Sequence, residues 1–206
     1  MAFLIRLPLM DKIKNSTKTG EKSAVEALFS VGAHFGFVKS RRHPSAKPFI
    51  FGIKNNIEIF DLEKTSKELE KALAFVEEKG REGAMGIFIG GKSEARVAIE
   101  KAGKELLMPY VAGRWIGGTL SNFTEIKKRI IRLEELLGQR ERGELAKYTK
   151  KERLLIDRDI ERLTIFFGGL SQLKSLPKFL VGIDPKKEYI AVSEAKKVGI
   201  PIVALA

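Results

Sequence analysis

Two apolar runs within residues 120–167 limit the possible folds of this chain more than any other feature. Ile126, Ile130, Leu133 and Leu137 advance by four, three and four positions, and Ile156, Ile160, Leu163 and Phe167 advance by the same steps. That spacing lays one apolar stripe along a helix and calls for a second helix to cover it. Gly138 and Gly143 lie between the runs, where the chain is able to turn back on itself. The expectation is an antiparallel helical coiled-coil hairpin over residues 120–168. Its outward positions carry Lys127, Lys128, Arg129, Arg132, Lys150, Lys151, Arg153, Arg158 and Arg162. Acids are interleaved with them, as on an ordinary solvated helix surface.

On both sides of that segment the pattern changes. Residues 85–89, 110–112, 179–183 and 202–205 are short apolar runs that read as strands, and 94–107 and 188–198 read as helices. Such alternation builds βαβ units and a mostly parallel sheet flanked by helices. Nearer the start, residues 24–31 read as a short helix closed by Gly32, and 38–48 as a basic loop. Residues 49–53 and 57–61 read as strands turned at Asn55-Asn56. Thr65-x-x-Glu68 has the form of a capping box, opening a helix with Leu69, Leu73 and Val76 on its apolar face. The organisation expected is a flexible N-terminal tail at 1–22, an α/β domain made of 23–119 and 169–206, and the hairpin inserted at 120–168.

Composition narrows the chemistry. There is no Cys among the 206 residues, which removes disulfides, thiol catalysis and Cys-based zinc sites. The only histidines are His34 and His43, and neither has an acid beside it in sequence. No apolar run approaches the ~18 residues of a membrane span. The opening AFLIRLPLM is broken by Arg6 and Pro8 and reads as tail, not as a signal peptide. Lys and Arg number 38 against 26 Asp and Glu, a net charge of +12. Residues 61–121 are balanced, so the excess sits in 1–60, 122–168 and 169–206. An excess of that size favours a polyanionic partner such as nucleic acid or a membrane surface.

One string suggests an enzyme. Gly86-Ile87-Phe88-Ile89-Gly90-Gly91-Lys92-Ser93 fits the phosphate-loop pattern literally, and residues 179–184 resemble a strand ending in a metal-binding aspartate. A P-loop-like nucleotidase centred on Lys92 and Ser93 is therefore the alternative reading. It is disfavoured because Ile87, Phe88 and Ile89 belong to the strand. Only Gly90 and Gly91 remain to curl round a triphosphate.

Three segments combine positive charge with planar groups or glycine. The first is Lys39-Ser-Arg41-Arg42-His43-Pro-Ser-Ala-Lys47-Pro-Phe49, whose prolines are expected to keep the loop extended. The second is Gly113-Arg114-Trp115-Ile116-Gly117-Gly118-Thr119-Leu120-Ser121-Asn122-Phe123, where Trp115 is expected to pack more readily than to stack on a base. The third is the basic surface of the hairpin. The candidate RNA-binding residues are Arg41, Arg42, Lys47, Arg114 and Asn122, followed by Lys127, Lys128, Arg129 and Arg132. No catalytic or metal-binding residues are expected, and no cofactor.

At these residues the chain resembles the bacterial small-subunit ribosomal protein family S-two. The resemblance is carried in order by VGAHFGF, RRHPSAKPFIFGIKNNIEIFDLEKT, RWIGGTLSNF, KKERLLIDRDIERL and LPKFLVGIDPKKEYIAVSEAKKVGIPIVAL, and it covers residues 24–206. It implies an α/β domain of Rossmann or flavodoxin-like type with a protruding coiled coil, used without catalysis. It further implies a cytoplasmic location on the ribosome, where the protein binds small-subunit ribosomal RNA near the head–body junction. Neighbouring small-subunit proteins are implied as partners, with the large mRNA-binding ribosomal protein S-one where that protein exists. No membrane partner is implied. Phe37 stands where the family commonly has His, and His43 where it commonly has Trp. Family members normally continue beyond the strand at 202–205. The expectation is an open edge there, for which the N-terminal tail is one candidate cover.

Overall fold

The computed structural model describes residues 21–206, so the readings made for 1–20 lie outside the described residues. The chain forms two compact units, Met1–Glu77 and Glu78–Ala206.

In the first unit, α1 (Glu21–Ser30) begins two residues inside the stretch read as tail. It is closed by Gly32 at φ +77°, with the Ala33 N–H donating to the Leu28 carbonyl at 3.0 Å. A strand that the sequence reading did not include follows, β1 (Phe35–Val38). β2 (Ile50–Lys54) and β3 (Ile57–Phe60) complete an antiparallel sheet in the order β1-β3-β2. Asn55 and Asn56 both take positive φ, 51° and 61°, the turn geometry that matches the twist of a hairpin. The basic connection from β1 to β2 is not extended. It coils into two 3-10 turns, Lys39–Arg41 and Pro44–Phe49.

α2 (Leu62–Arg81) starts earlier than the Thr65 capping box suggests. Asp61 Oδ1 accepts the Glu63 and Lys64 N–H groups at 3.1 and 3.3 Å, and the Thr65 hydroxyl donates back to the Asp61 carbonyl at 2.9 Å. A carboxylate is the stronger acceptor, so Asp61 takes the cap and Thr65 is carried inside the first turn. Leu69 and Leu73 are exposed, whereas Leu62 is buried and Phe75 and Val76 are half-buried.

The second unit holds a parallel sheet of β4 (Gly86–Ile89), β5 (Tyr110–Val111), β6 (Phe179–Ile183) and β7 (Ile202–Leu205), in the order β5-β4-β6-β7. α3 (Ser93–Leu106) links β4 to β5, and α6 (Tyr189–Val198) links β6 to β7. Between β5 and β6 come α4 (Phe123–Glu141) and α5 (Lys150–Phe167), which pack on each other. Ile87, Ile89 and Leu180 are almost wholly buried at the sheet's centre. A single cluster of buried residues continues from them through Trp115 and Leu120 to Ile126, Ile130, Leu133 and Leu136 of α4 and Ile160, Leu163 and Phe167 of α5. Leu137 and Ile156 are half-buried against it. In the last turns of α4 Leu136 is more deeply buried than Leu137. Thr149 caps α5 with a reciprocal capping box to Glu152.

Candidate nucleic-acid interface

In the first unit, Arg41 and Lys47 are exposed on the two 3-10 turns. His43 organises the second turn, since its Nδ1 accepts the Ser45 N–H at 3.3 Å and Pro44 starts the turn with φ already set. Arg42 points elsewhere. Its Nη1 donates to Glu58 Oε1 at 2.8 Å, and Glu58, on β3, is only 3% exposed. A buried carboxylate requires such a partner, so Arg42 ties the basic turns to the sheet beneath them. His34 is packed by stacking on Phe29, with ring centroids 4.4 Å apart.

In the second unit, residues 113–122 form a loop folded around a side chain from far along the sequence. Glu194 on α6 accepts the Gly118 N–H at 2.6 Å through one oxygen. Its other oxygen accepts the Leu120 and Ser121 N–H groups at 2.9 and 3.3 Å. Gly118 sits at φ +94°, a conformation that L side chains rarely adopt, and this turns the successive amides inward. Thr119, itself buried, closes the turn with a 2.6 Å bond from its hydroxyl to the Ile116 carbonyl. Trp115 is in the core, as its sequence context suggested. Arg114 and Asn122 are exposed. Asn122 stands at the N-cap of α4 but its side chain makes no cap bond, which leaves the carboxamide turned to solvent. Glu194 was not anticipated, although its place between the small residues Ala191 and Ala195 marks the inner side of a short helix.

Along α4, Lys127, Lys128, Arg129 and Arg132 are all exposed. Lys128 and Arg132 are four apart and share a face, each with a carboxylate near it: Glu125 at 2.6 Å and Glu135 at 3.8 Å. Lys127 Nζ reaches the Lys174 carbonyl at 3.4 Å.

The phosphate-loop string lies at the carboxyl end of the parallel sheet. Ile89 of β4 is in register with Gly182 of β6, so Gly90–Lys92 and Ile183–Asp184 emerge side by side. Lys92 Nζ is 2.5 Å from Asp184 Oδ2. The bond to Lys92 holds the Asp184 carboxyl below its ordinary range, and the same bond raises Lys92. The Gly91 N–H, which a phosphate loop would offer to its ligand, donates to Glu188 Oε1 at 3.0 Å. Burial pushes the Glu188 carboxyl up. α3 already begins at Ser93, so no loop remains to enclose a triphosphate. The chain's own carboxylates occupy the groups that a nucleotide would need. Among the described residues no group of acids and histidines could hold a metal ion, and no helix is long and apolar enough to cross a membrane.

The model of the family Ribosomal protein S2 matches residues 28–206. The chain is 45% identical over 177 residues to the small ribosomal subunit protein uS2 of a Nitratiruptor species, covering 86% of this chain and 66% of that protein. It is 41% identical over 181 residues to the uS2 protein of Coprothermobacter proteolyticus, covering 88% and 68%. It is 42% identical over 182 residues to that of a Roseiflexus species, covering 88% and 70%. The chain therefore spans about two thirds of the length of the relatives it matches.

Proposed function

Because the chain belongs to the ribosomal protein S2 family, we propose that it is a structural constituent of the small ribosomal subunit, that it binds small-subunit ribosomal RNA near the head–body junction, and that it supports subunit assembly and translation in the cytoplasm. It acts without catalysis and without a cofactor. Its partners are the RNA, the neighbouring small-subunit proteins and, where present, the large mRNA-binding protein S-one. α4 and α5 serve as an antiparallel coiled-coil hairpin inserted in the α/β domain, and the matching apolar stripes of the two helices support that reading.

The observation that carries the proposal is the loop closed on Glu194. Three hydrogen bonds from backbone N–H groups to a buried carboxylate make this loop a rigid mount for Arg114 and Asn122. A pre-ordered mount spares the cost of fixing a flexible loop when RNA binds. Arg41, Lys47 and the exposed cations of α4 supply phosphate contacts, while Arg42 holds its turn in place through Glu58. Phosphate contacts of this kind fix position and orientation without reading base sequence.

The test is binding of the chain to small-subunit ribosomal RNA across a salt series, with ATP titrated in parallel. Saturable binding that weakens steeply with salt, and no ATP binding, is the expected result. Lys92→Ala should leave RNA affinity unchanged. ATP binding lost in Lys92→Ala, with only nonspecific RNA binding, would restore the nucleotidase alternative.

A further inference from the structure

The outward face of α6 is rich in cations and poor in acids. Residues 169–206 carry six lysines and three acids. All three acids are engaged by groups of the chain itself. Asp184 pairs with Lys92, Glu188 accepts the Gly91 N–H, and Glu194 accepts the three N–H groups of the 113–122 loop. The cations are not drawn inward with them, for Lys186, Lys187, Lys196 and Lys197 are exposed. The face is lined by Pro185, Tyr189, Val192, Ser193, Lys196 and Lys197, which border a shallow hollow. The steps from 189 to 192–193 and 196–197 place those residues on one side of the helix, opposite buried Ala191 and Ala195, and Pro185 of the preceding turn borders the same hollow. Tyr189 is 66% exposed. It presents a flat ring beside proline, a hydroxyl and two ammonium groups, with no carboxylate on that side of the helix.

The hairpin is the useful contrast. There each stretch of cations has acids within a turn, and such a surface is at ease in water. On α6 the charge is segregated and an aromatic ring stands in its midst. We propose that this face binds a strand of the small-subunit ribosomal RNA, with a base stacked on Tyr189 and Pro185 and backbone phosphates on Lys196 and Lys197. An aromatic platform flanked by cations is the arrangement that holds an unpaired nucleotide, since every base has a face to stack and every linkage a charge to neutralise. A protein partner fits less well. Three apolar side chains fall far short of the roughly 800 Å² per partner of a stable interface.

The proposal rests on the ribosomal reading above, and the experiment separates the two. The chain is titrated with small-subunit ribosomal RNA across a salt series as wild type, Tyr189→Phe, Tyr189→Ala and the double variant Lys196→Ala/Lys197→Ala. These side chains are exposed, and the variants' circular dichroism should match wild type. Tyr189→Phe keeps the ring and should bind as wild type, whereas Tyr189→Ala should lose about tenfold in affinity. The double lysine variant should flatten the slope of log K against log salt by about 1.5. Ultraviolet crosslinking of the wild-type complex should yield a nucleotide adduct on Tyr189. Saturable binding by wild type with unchanged affinity and slope in every variant, and no adduct on Tyr189, would overturn the proposal and leave the ribosomal reading standing. No saturable binding by wild type would overturn both.

Discussion

Glu194 accepts hydrogen bonds from amides 73 to 76 residues earlier in the chain, so its replacement tests the loop and α6 together. Hydrogen bonds to a charged group are worth about 1.5–3 kcal/mol each, and truncation also strands three inward-facing amides. Glu194→Ala should therefore destabilise the chain by about 3 kcal/mol or more in urea unfolding. Glu194→Gln, which keeps the shape and an acceptor oxygen, should cost less. Glu188 behaves differently because burial raises its pKa. A raised folded-state value means that the penalty on the charged form is present at neutral pH. It is relieved as pH falls through the folded-state value, and it is gone below the ordinary value of 4.5. Glu188→Gln retains an acceptor for the Gly91 N–H. It should be more stable than wild type at pH 7, with the advantage shrinking on acidification. A constant difference across pH would mean that burial of the charge is not what sets the effect. Gly91 has no such freedom, for a Cβ there would lie 2.6 Å from Glu188 Oε1 and 2.8 Å from the Gly113 carbonyl. Gly91→Ala must force the two apart.

Between elements, stability should follow burial and not hydrophobicity. Ile130 and Leu133 lie in the cluster shared by α4, α5 and the sheet, so Ile130→Ala or Leu133→Ala should cost about 2–5 kcal/mol. Phe51 on β2 is 82% exposed, and Phe51→Ser should change the stability of the free chain by no more than about 0.5 kcal/mol. Thr149→Ala removes the cap of α5 and should cost about 1 kcal/mol, read as the same shift in unfolding free energy. This contrast also explains what could be read from the sequence. The parallel sheet and its helices were legible because βαβ units write an alternating pattern, and the two stripes of α4 and α5 because the helix period is strict. β1 was not, since FGFV is short and three of its four residues are exposed, so no buried alternation marks it. Asp61 outcompeted Thr65 as a cap through its charge, which a spacing rule does not weigh. At the candidate interface the exposed cations were legible by type and position. Their internal partners were not. Arg42 with Glu58 and the 113–122 loop with Glu194 are pairings between distant segments, and one sequence carries no sign of which segments meet.

At the scale of the whole molecule the net charge of +12 sets the strength of attraction to a polyanion, but the arrangement of charge sets where it acts. Each phosphate neutralised releases counterions and adds roughly 0.7–0.9 to the slope of log K against log salt. A lysine that already has a carboxylate beside it releases fewer, because the acid stays behind and repels the phosphate. Lys128 and Arg132 have Glu125 and Glu135 near them, and both ion pairs lie at the surface, where such pairs are weak but not empty. Lys196 and Lys197 have no acid on their side of α6. Lys128→Gln/Arg132→Gln should therefore flatten the salt slope less than Lys196→Gln/Lys197→Gln, although each variant removes the same two charges. Equal slopes in the two doubles would show that total charge alone governs binding. A larger effect at Lys128 and Arg132 would place the principal RNA contact on α4. In the expected order, the RNA meets this chain most strongly where its acids have been drawn into the fold.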